Sequence, residues 1–354
     1  MVTSKLSRIT GIFVCLSILS AGCNAAAQSS TALPTAVPVT ATSLPTAVPP
    51  TVTPSPQPSA TLTGTSTPLP TPKPLVPDFK HIIVIFFENH EYTSVIGNTT
   101  MPNYNLYASQ NTILSQYYAI MHPSLPNYLA VFGGDTFNIK SDCEKCFVSA
   151  PNLADQIEAS GRTWRAYFQD MPSPCFVGDT AVYVQKHNPF MYFDDIRLDT
   201  TRCDNSIVPL GQLDTDLANG TLPDFAYIMP NSCVSTDDDF SNPACTLALA
   251  DNWLGGIMDK LIPYLNQRAA TEPYLIAITW DEGQGDHSCC GLPNNNAGGR
   301  VPTILISPLA KSGFIDDTPY THYSLLKTIE TAWNLPLLGH AADANNVLIT
   351  APWK

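Results

Sequence analysis

The sequence predicts an α/β fold in which a mostly parallel central sheet is flanked by helices. Short apolar runs rich in β-branched and aromatic residues are typical of buried strands. They cover residues 81–87, 163–168, 225–229, 274–280 and 301–307. Helical patterns bounded by Pro, Gly or Asn cover residues 125–132, 153–159, 247–267 and 323–333. Strands that alternate with helices along a chain favour a parallel sheet with helices on its faces.

Charged residues divide the 354-residue chain into two parts. All 30 Asp and Glu lie at or after Asp78, and only three of the 17 basic residues precede it. Residues 78–354 therefore carry a formal charge of −16, and they are long enough for one large core. We expect a single folded domain there. Its acidity argues against a nucleic-acid binder, because a phosphate backbone needs a basic surface.

The first 23 residues have the layout of a secretory signal. Lys5 and Arg8 precede an apolar stretch at residues 9–19, and small residues lead from there to Cys23. The end of this segment resembles a bacterial lipoprotein processing site, although Ser20 stands where an aliphatic residue is usual. We expect an exported protein held on a membrane through an acylated Cys23, with simple secretion as the alternative.

A Pro- and Thr-rich segment, residues 24–77, follows the signal. It contains an imperfect 11-residue repeat, in which residues 33–38 return at 44–49. Prolines this frequent favour an extended, solvated chain of about 3.1 Å per residue. The segment is therefore predicted to be a disordered linker, and residues 78–354 to be the catalytic domain.

Eight cysteines follow the signal region, and an exported chain with an even number is expected to pair most of them. Spacing suggests the local bridges Cys175–Cys203 and Cys233–Cys245. Two closer pairs can each form a small ring: Cys143 with Cys146, and Cys289 with Cys290. A zinc site at Cys143 and Cys146 is the alternative, but no second Cys/His pair stands at a matching spacing.

Polar side chains follow two of the predicted strands directly. Glu88 and Asn89 follow residues 81–87, and Asp281 and Glu282 follow residues 274–280. Functional groups gather at the carboxyl ends of the strands of such sheets. Because like charges at close range demand a cation or raise one another's pKa, a divalent metal ion is expected there. Oxygen ligands favour Mg²⁺, Ca²⁺ or Mn²⁺, with Zn²⁺ as a further possibility.

Ser124 is the candidate nucleophile. It stands just before Pro126 at the predicted start of a helix, where a serine can serve as the N-cap. The same position also favours an anion, because unpaired amides and the helix dipole point outward. A hydroxyl at this place can attack phosphate if a metal ion lowers its pKa.

Four motifs occur in an order that resembles a known family. They read FENH at 87–90, HPSLPNY at 122–128, WDEGQGDH at 280–287 and HYSLLKTIE at 322–330. Together they are similar to the phosphoesterase family of acid phosphatases and non-haemolytic phospholipases C, within the alkaline phosphatase superfamily. The resemblance runs from about residue 79 to residue 338 and implies an alkaline-phosphatase-like fold.

The resemblance also implies roles for individual residues. Ser124, His287 and His322 are the expected catalytic residues. The expected metal ligands are Glu88, Asn89, Ser124, Asp281 and Glu282. The expected substrate-binding residues are His122, Asn127 and Asp286.

One segment departs from the family pattern. Where members usually show Asp-x-His after the strand at 225–229, this chain has three consecutive aspartates, beginning at Asp237. We expect the absence of this histidine to change the reaction rate, the preferred metal ion or the substrate. Three further histidines, His81, His187 and His340, are expected to be structural.

The expected activity is metal-dependent hydrolysis of a small phosphate ester through a phosphoserine intermediate. A phospholipase C or phosphodiesterase of the same family is the alternative. An acyl esterase that uses Ser124, His322 and Asp281 is disfavoured, because the chain lacks Gly-x-Ser-x-Gly and the triad leaves Glu88 unexplained. A catalytically silent surface lipoprotein that binds a ligand is the alternative of another class. The oligomeric state is not indicated by the sequence.

Overall fold

An eight-stranded sheet forms the centre of the fold, with the strand order β5-β4-β6-β1-β7-β8-β2-β9. The structure is a computed structural model that describes residues 73–237, 242–290 and 296–354. The signal segment, Cys23 and residues 24–72 of the linker lie outside the described residues. None of the helices in the described part of the chain is both long and apolar enough to cross a membrane.

Seven of the eight strands run in the same direction, and β8 is antiparallel to both of its neighbours. The strands are β1 (His81–Phe87), β2 (Thr112–Leu114), β4 (Trp164–Phe168), β5 (Ile207–Pro209), β6 (Phe225–Met229), β7 (Tyr274–Trp280), β8 (Ile304–Ile306) and β9 (Phe314–Asp316). A separate parallel pair consists of β3 (Tyr117–Tyr118) and β10 (Tyr320–Thr321).

The α-helices precede, follow and connect these strands. They are α1 (Tyr92–Val95), α2 (Pro102–Gln110), α3 (Ser124–Gly133), α4 (Leu153–Ala159), α5 (Asp194–Arg197), α6 (Thr200–Ser206), α7 (Gly211–Asn219), α8 (Ser232–Ser235), α9 (Leu247–Arg268) and α10 (His322–Ala332). Three short 3₁₀-helices cover Gln185–His187, Pro189–Tyr192 and Gly339–Ala342.

The structure confirms the predicted fold class of a mostly parallel sheet flanked by helices. The four predicted helices and the five predicted strands are present, with ends that shift by up to three residues. The largest shift is in β8, where the predicted run of residues 301–307 forms a strand only over its central part.

The central strands β1 and β7 fix the position of the candidate site. All seven residues of each strand are buried, and the strands pair in parallel over their whole length, from His81 opposite Tyr274 to Phe87 opposite Trp280. The backbone contact continues beyond the strands, where Asp281 N donates to Phe87 O at 3.0 Å. The residues that follow the two strands are therefore delivered side by side.

Helix α3 brings the candidate nucleophile to the same edge of the sheet. Every residue of α3 is buried, and the helix ends at Gly134, whose φ of 74° lies in the left-handed region. Ser124 is the first helical residue, preceded by Pro123, so the expectation that it acts as the N-cap is wrong. Its hydroxyl lies within hydrogen-bond distance of two carboxylates of the site, and no side-chain hydrogen bond caps the described helix.

All four predicted disulfides are formed: Cys143–Cys146, Cys175–Cys203, Cys233–Cys245 and Cys289–Cys290. Each closes a loop of 28 residues or fewer. The bridges therefore link residues that are close in the sequence.

Candidate active site

Glu88 lies at the centre of the candidate site. It follows β1 directly and is fully buried. Its Oε2 accepts a hydrogen bond from Ser124 Oγ at 2.9 Å. Its Oε1 accepts a hydrogen bond from the Tyr128 hydroxyl and lies 3.0 Å from His187 Nε2. One carboxylate therefore joins the start of α3 to the residues on the other side of the site.

The residues after β7 complete the cluster. Ser124 Oγ lies 3.3 Å from Glu282 Oε1, so the hydroxyl stands between two carboxylates. Asp281 Oδ1 accepts from the backbone N–H of Asn89 at 3.1 Å. Asn89 adopts a left-handed φ of 54°, which asparagine tolerates better than most residues. The structure thus brings the side chains of Glu88, Ser124, Asp281 and Glu282 to one edge of the sheet, with the backbone of Asn89 beside Asp281.

Burial and mutual repulsion disfavour the ionised forms of these carboxyl groups when no cation is bound. Burial, followed by the charges of Glu88 and Glu282, raises the pKa of Asp281 well above its usual range. Burial also raises the pKa of Glu282 to about 7, although the contact with His122 opposes this shift. Asp281 Oδ2 is buried without a hydrogen-bond partner in the described residues. Oxygen ligands that lack a counter-charge fit a divalent cation.

His122 and its neighbours lie beside Glu282. His122 Nδ1 forms an ion pair with Glu282 Oε2, and His122 Nε2 donates to the backbone oxygen of Asp286 at 2.9 Å. Burial tends to lower the pKa of His122, but the contact with Glu282 outweighs it and the pKa is raised. The exposed His287 packs edge-on against His122, with ring centroids 4.6 Å apart. His287 is therefore the solvent-facing member of the pair.

The side chain of Asp286 forms hydrogen bonds with nearby residues of its own loop. Its carboxylate accepts from Ser288 N, Ser288 Oγ and Arg300 N at 2.8–2.9 Å. These hydrogen bonds outweigh burial and lower the pKa of Asp286. The geometry gives Asp286 the task of shaping the loop that receives His122.

The side chain of Asn127 also forms hydrogen bonds with backbone atoms. Its Oδ1 accepts from Ile120 N at 2.8 Å and Met121 N at 3.2 Å, and its Nδ2 donates to Met121 O at 2.7 Å. The fully buried amide therefore ties α3 to the segment that carries His122.

His322 is the first residue of α10, and both of its ring nitrogens have partners. Nε2 lies 2.6 Å from the backbone oxygen of Asp281, and Nδ1 lies 3.1 Å from the Tyr117 hydroxyl. Because a carbonyl oxygen only accepts, Nε2 carries the proton and Nδ1 accepts from Tyr117. Burial lowers the pKa of His322 to about 4, so the ring is neutral. It holds the backbone of Asp281 in place.

His187 differs from its expected structural role, because the structure places it at the site. Its Nε2 lies 3.0 Å from Glu88 Oε1 and 3.2 Å from Asp237 Oδ2. Burial alone would lower the pKa of His187, but the two carboxylates outweigh it and raise the pKa to about 9. These three buried residues form a group that could hold a metal ion.

A cavity of about 270 Å³ adjoins this group. Its walls include Lys186, Asp142 and Asp237, and Lys186 Nζ lies 3.2 Å from Asp142 Oδ2 and 3.4 Å from Asp237 Oδ2. Asp142 also accepts from the backbone N–H of Leu125 at 2.9 Å. The cavity therefore lies next to the first turn of α3, where Ser124 is located.

Sequence reasoning missed His187 because no spacing relation connects it with Glu88 or Asp237. It belongs to the short 3₁₀-helix Gln185–His187, which carries no strand-end signal. The available signal was the departure at Asp237, where a histidine was expected. In the structure, a histidine from another segment lies beside that aspartate.

Comparison with known proteins identifies relatives that match about three quarters of the chain. A model of the Phosphoesterase family matches residues 98–336. A probable acid phosphatase of Kluyveromyces lactis is 34% identical over 289 residues, which make up 77% of this chain and 63% of that protein. The chain therefore spans less than two thirds of this relative. A phosphatidylinositol-3-phosphatase of Mycobacterium tuberculosis is 29% identical over 76% of this chain and 82% of its own length.

Solved structures resemble this chain at low sequence identity. A Bacteroides thetaiotaomicron protein from work on glycosaminoglycan metabolism covers 77% of this chain and 81% of its own, with a TM-score of 0.51 and 13% identity. A protein in the alkaline phosphatase superfamily from Vibrio parahaemolyticus covers 73% of this chain and 68% of its own, with a TM-score of 0.49 and 14% identity. Identities this low concern the fold alone.

Proposed function

Since this chain belongs to the phosphoesterase family, we propose that it is an acid-phosphatase-like enzyme that hydrolyses phosphate esters with a divalent metal ion and through a phosphoserine intermediate. The observation that carries the proposal is the position of Ser124 Oγ. It lies 2.9 Å from Glu88 Oε2 and 3.3 Å from Glu282 Oε1, at the first turn of a buried helix.

The charges around Ser124 support the requirement for a cation. Two carboxylates next to a hydroxyl disfavour its alkoxide and repel a phosphate dianion. The proposed ligands are Glu88, Asn89, Ser124, Asp281 and Glu282. When bound there, a divalent ion supplies the positive charge that lowers the pKa of the serine hydroxyl and neutralises phosphate. Their oxygen atoms favour Mg²⁺, Ca²⁺ or Mn²⁺.

The proposed reaction has two steps, attack by Ser124 and hydrolysis of the phosphoserine. Ser124 Oγ passes its proton to one of the two carboxylates that it contacts and attacks phosphorus, while the bond between phosphorus and the ester oxygen breaks and the alcohol leaves with a proton. His287 is the proposed proton donor, because it is exposed and packs against His122 at the rim of the cluster. Water then hydrolyses the phosphoserine and regenerates the hydroxyl.

His122 and His322 act in this proposal by holding other groups. His122 fixes the outer oxygen of Glu282, and His322 fixes the backbone of Asp281. Both contacts restrict the carboxylates that face Ser124. Preorganised groups of this kind keep the reacting geometry without further rearrangement.

The decisive experiment measures p-nitrophenyl phosphate hydrolysis by the wild type and by Ser124→Ala. We expect turnover to fall by about 10³-fold or more, because the nucleophile is lost. Ser109→Ala is the matched control, since its exposed hydroxyl donates to Leu106 O in the same helix. A purified, folded Ser124→Ala protein with near wild-type turnover would reject the assignment.

Metal dependence is tested on the same substrate. EDTA should abolish turnover, and added Mg²⁺, Ca²⁺ or Mn²⁺ should restore it. Full activity after removal of bound metal would contradict the proposed cofactor. A wild type that stays inactive with every ion would favour the catalytically silent lipoprotein.

Substrate class is the second open question, and one relative favours a lipid substrate. That relative, from Mycobacterium tuberculosis, is named a phosphatidylinositol-3-phosphatase. A panel of p-nitrophenyl phosphate, its bis ester, phosphatidylcholine and a phosphoinositide separates the alternatives. Preference for a monoester supports a phosphatase, whereas preference for phosphatidylcholine or the bis ester supports a phospholipase C or phosphodiesterase.

We also propose that the protein is exported and anchored through an acylated Cys23, on the basis of the signal layout of residues 1–23. Mass spectrometry of the mature N-terminus tests this proposal. A lipid-modified Cys23 is the expected result. An unmodified Cys23, or a mature chain that begins elsewhere, would indicate simple secretion.

A further inference from the structure

We propose that a cavity beside His287 binds the alcohol part of the phosphate ester and favours a large, uncharged alcohol that contains a ring. The inference rests on the proposed function, because it concerns the substrate of the same site. The cavity measures about 630 Å³, a size usual for pockets that bind small organic ligands. Its walls include residues from the segment that precedes His122 and from the start of α10.

Three contacts connect the cavity with the proposed proton donor, His287. The wall residue Ala297 donates its backbone N–H to His287 O at 3.3 Å. The wall residue Ile120 is held by Asn127 Oδ1 at 2.8 Å and lies two residues before His122. The ring of His122 packs against that of His287, with centroids 4.6 Å apart. Because His287 gives its proton to the ester oxygen in the proposed reaction, the carbon atoms of the alcohol extend on this side of the site.

Part of the cavity wall is apolar. It consists of Ala119, Ile120, Ala297 and the disulfide Cys289–Cys290. Ala119 and Ala297 are buried, and their methyl groups leave space that a longer side chain would fill. Apolar surface of this kind favours an apolar ligand, because water is released when the ligand covers it.

Two rings form another part of the wall. Tyr323 and His340 lie with their ring centroids 5.2 Å apart and their planes inclined by 54°. Tyr323 is largely buried, so its ring has a fixed position at the cavity. Rings attract one another at centroid distances of about 4.5–7 Å in edge-on or offset arrangements. A ring in the alcohol would therefore gain contacts that a short alkyl chain lacks.

The charged groups of the cavity disfavour an alcohol that carries a second anion. None of the described wall residues is Lys or Arg. His340 Nδ1 lies 2.8 Å from Asp343 Oδ2, so its positive charge, when present, is already paired. Lys327 is outside the wall, and its Nζ donates to the backbone oxygens of Asp343 and Asn346 at 3.2 and 2.9 Å. A second phosphate or a carboxylate would therefore meet Asp343 without a counter-charge of its own.

Two esters of primary alcohols test the preference on the metal-loaded, full-length protein. They are 2-phenylethyl phosphate and ethyl phosphate, which differ mainly in the size of the alcohol. We expect kcat/KM to be about 10–100-fold higher for the phenylethyl ester, the effect of burying one phenyl ring. A carboxylate on that ring should remove most of the gain. Equal kcat/KM for the two esters, or a full gain with the carboxylate, overturns this inference and leaves the phosphatase assignment intact.

Two variants locate the preference in this cavity. Asn345 is exposed at the wall, so Asn345→Trp places an indole in the space and should bring the ratio of the two kcat/KM values towards one. Ile120→Ala shortens the apolar wall and should lower the ratio to a smaller extent. Val347→Trp is the matched control, because Val347 is exposed and is not a described wall residue, so the wild-type ratio is expected. A ratio that neither Asn345→Trp nor Ile120→Ala changes rejects the cavity as the binding site.

Binding without turnover separates this inference from the proposed function. In 3-phenylpropylphosphonate and propylphosphonate a carbon atom replaces the ester oxygen, so neither compound is hydrolysed as an ester. Calorimetric titration of the metal-loaded protein should show tighter binding of the phenylpropyl compound by about 10-fold or more. Asn345→Trp should remove this difference. If neither phosphate ester is hydrolysed but the difference in binding is found, only the proposed function fails. Equal affinities, or no binding of either phosphonate, reject the cavity.

Discussion

Glu88 connects the nucleophile Ser124 with the residues on the other side of the site, Tyr128 and His187. Its Oε2 accepts from Ser124, while its Oε1 accepts from Tyr128 and lies beside His187. A carboxylate with both oxygens engaged loses rotational freedom, so its geometry is fixed before any ion or substrate arrives. The Tyr128 hydroxyl is the neutral member of this set, and it can be removed without changing the charge of the site.

We predict that Tyr128→Phe lowers the affinity for the divalent ion by about 10–100-fold, the usual effect of losing an outer hydrogen bond to a metal ligand. Tyr104→Phe is the control, because Tyr104 is equally buried but its hydroxyl has no hydrogen-bond partner in the described residues. Calorimetric titration of the metal-free proteins gives both affinities. Equal affinities in the two variants would mean that Tyr128 does not orient Glu88.

Residues at strand ends could be predicted from the sequence, whereas His187 could not. Glu88 and Asp281 each end an apolar run, and a parallel sheet places such ends side by side. His187 reaches Glu88 through the packing of a three-residue 3₁₀-helix, and neither its neighbours nor its spacing shows this. Asn127 and His322 also bind backbone atoms that sequence patterns do not reveal. Asn127 accepts from Ile120 N across a turn, and His322 contacts the backbone oxygen of Asp281, which is distant in the sequence.

At the scale of single elements, α10 contains a buried acid remote from the carboxylate cluster. Glu330 is fully buried, and its Oε1 accepts from the backbone N–H of Leu338 at 2.8 Å. Its Oε2 has no hydrogen-bond partner in the described residues. Burial raises the pKa of Glu330 to about 8, although the Leu338 hydrogen bond and Lys327 oppose the shift.

This pKa predicts how stability changes with pH. Between the ordinary pKa of 4.5 and the folded value of about 8, the unfolded chain ionises Glu330 while the folded protein keeps it protonated. Unfolding then releases a proton, so the contribution of Glu330 to stability falls as the pH rises through this window. The loss amounts to about 1.4 kcal/mol per pH unit at most.

Glu330→Gln should remove that slope, because the amide resembles the protonated acid and can still accept from Leu338. We expect the variant to gain stability over the wild type as the pH rises from about 5 to 8, by a few kcal/mol at most. Urea unfolding at several pH values measures the difference. Glu144→Gln, at an exposed position, should follow the wild type. A constant difference at all pH values would contradict a raised pKa.

Strand length decided which elements could be predicted. The strands β1, β6 and β7 are continuous apolar runs, and their predicted and observed bounds agree. The edge strand β9 and its neighbour β2 have three residues each, and β9 contains the exposed Ile315. A run this short has no measurable periodicity, so only pairing with a neighbouring strand defines it.

At the scale of the whole molecule, the buried acids of the site add to a strongly acidic chain. The formal charge of the protein is −13, and its calculated isoelectric point is about 4.7. Asp281 and Glu282 are buried with raised pKa values, so ionising them without a cation costs stability. An ion that binds only the folded protein removes this cost and shifts the unfolding equilibrium towards the native state.

We therefore predict that divalent cations raise the thermal stability of the full-length protein and that EDTA lowers it. At a free ion concentration of about 100 times the dissociation constant, binding at one site adds about 2.7 kcal/mol. For a domain of this size each kcal/mol corresponds to about 2–4 °C, so the midpoint should rise by about 5–10 °C. Differential scanning calorimetry with and without Mn²⁺ measures the shift. Asp281→Asn should be more stable than the wild type in EDTA, because the amide carries no charge, and should respond less to the ion. A midpoint in the wild type that is unchanged by saturating metal would show that the clustered carboxylates are stabilised by protons alone.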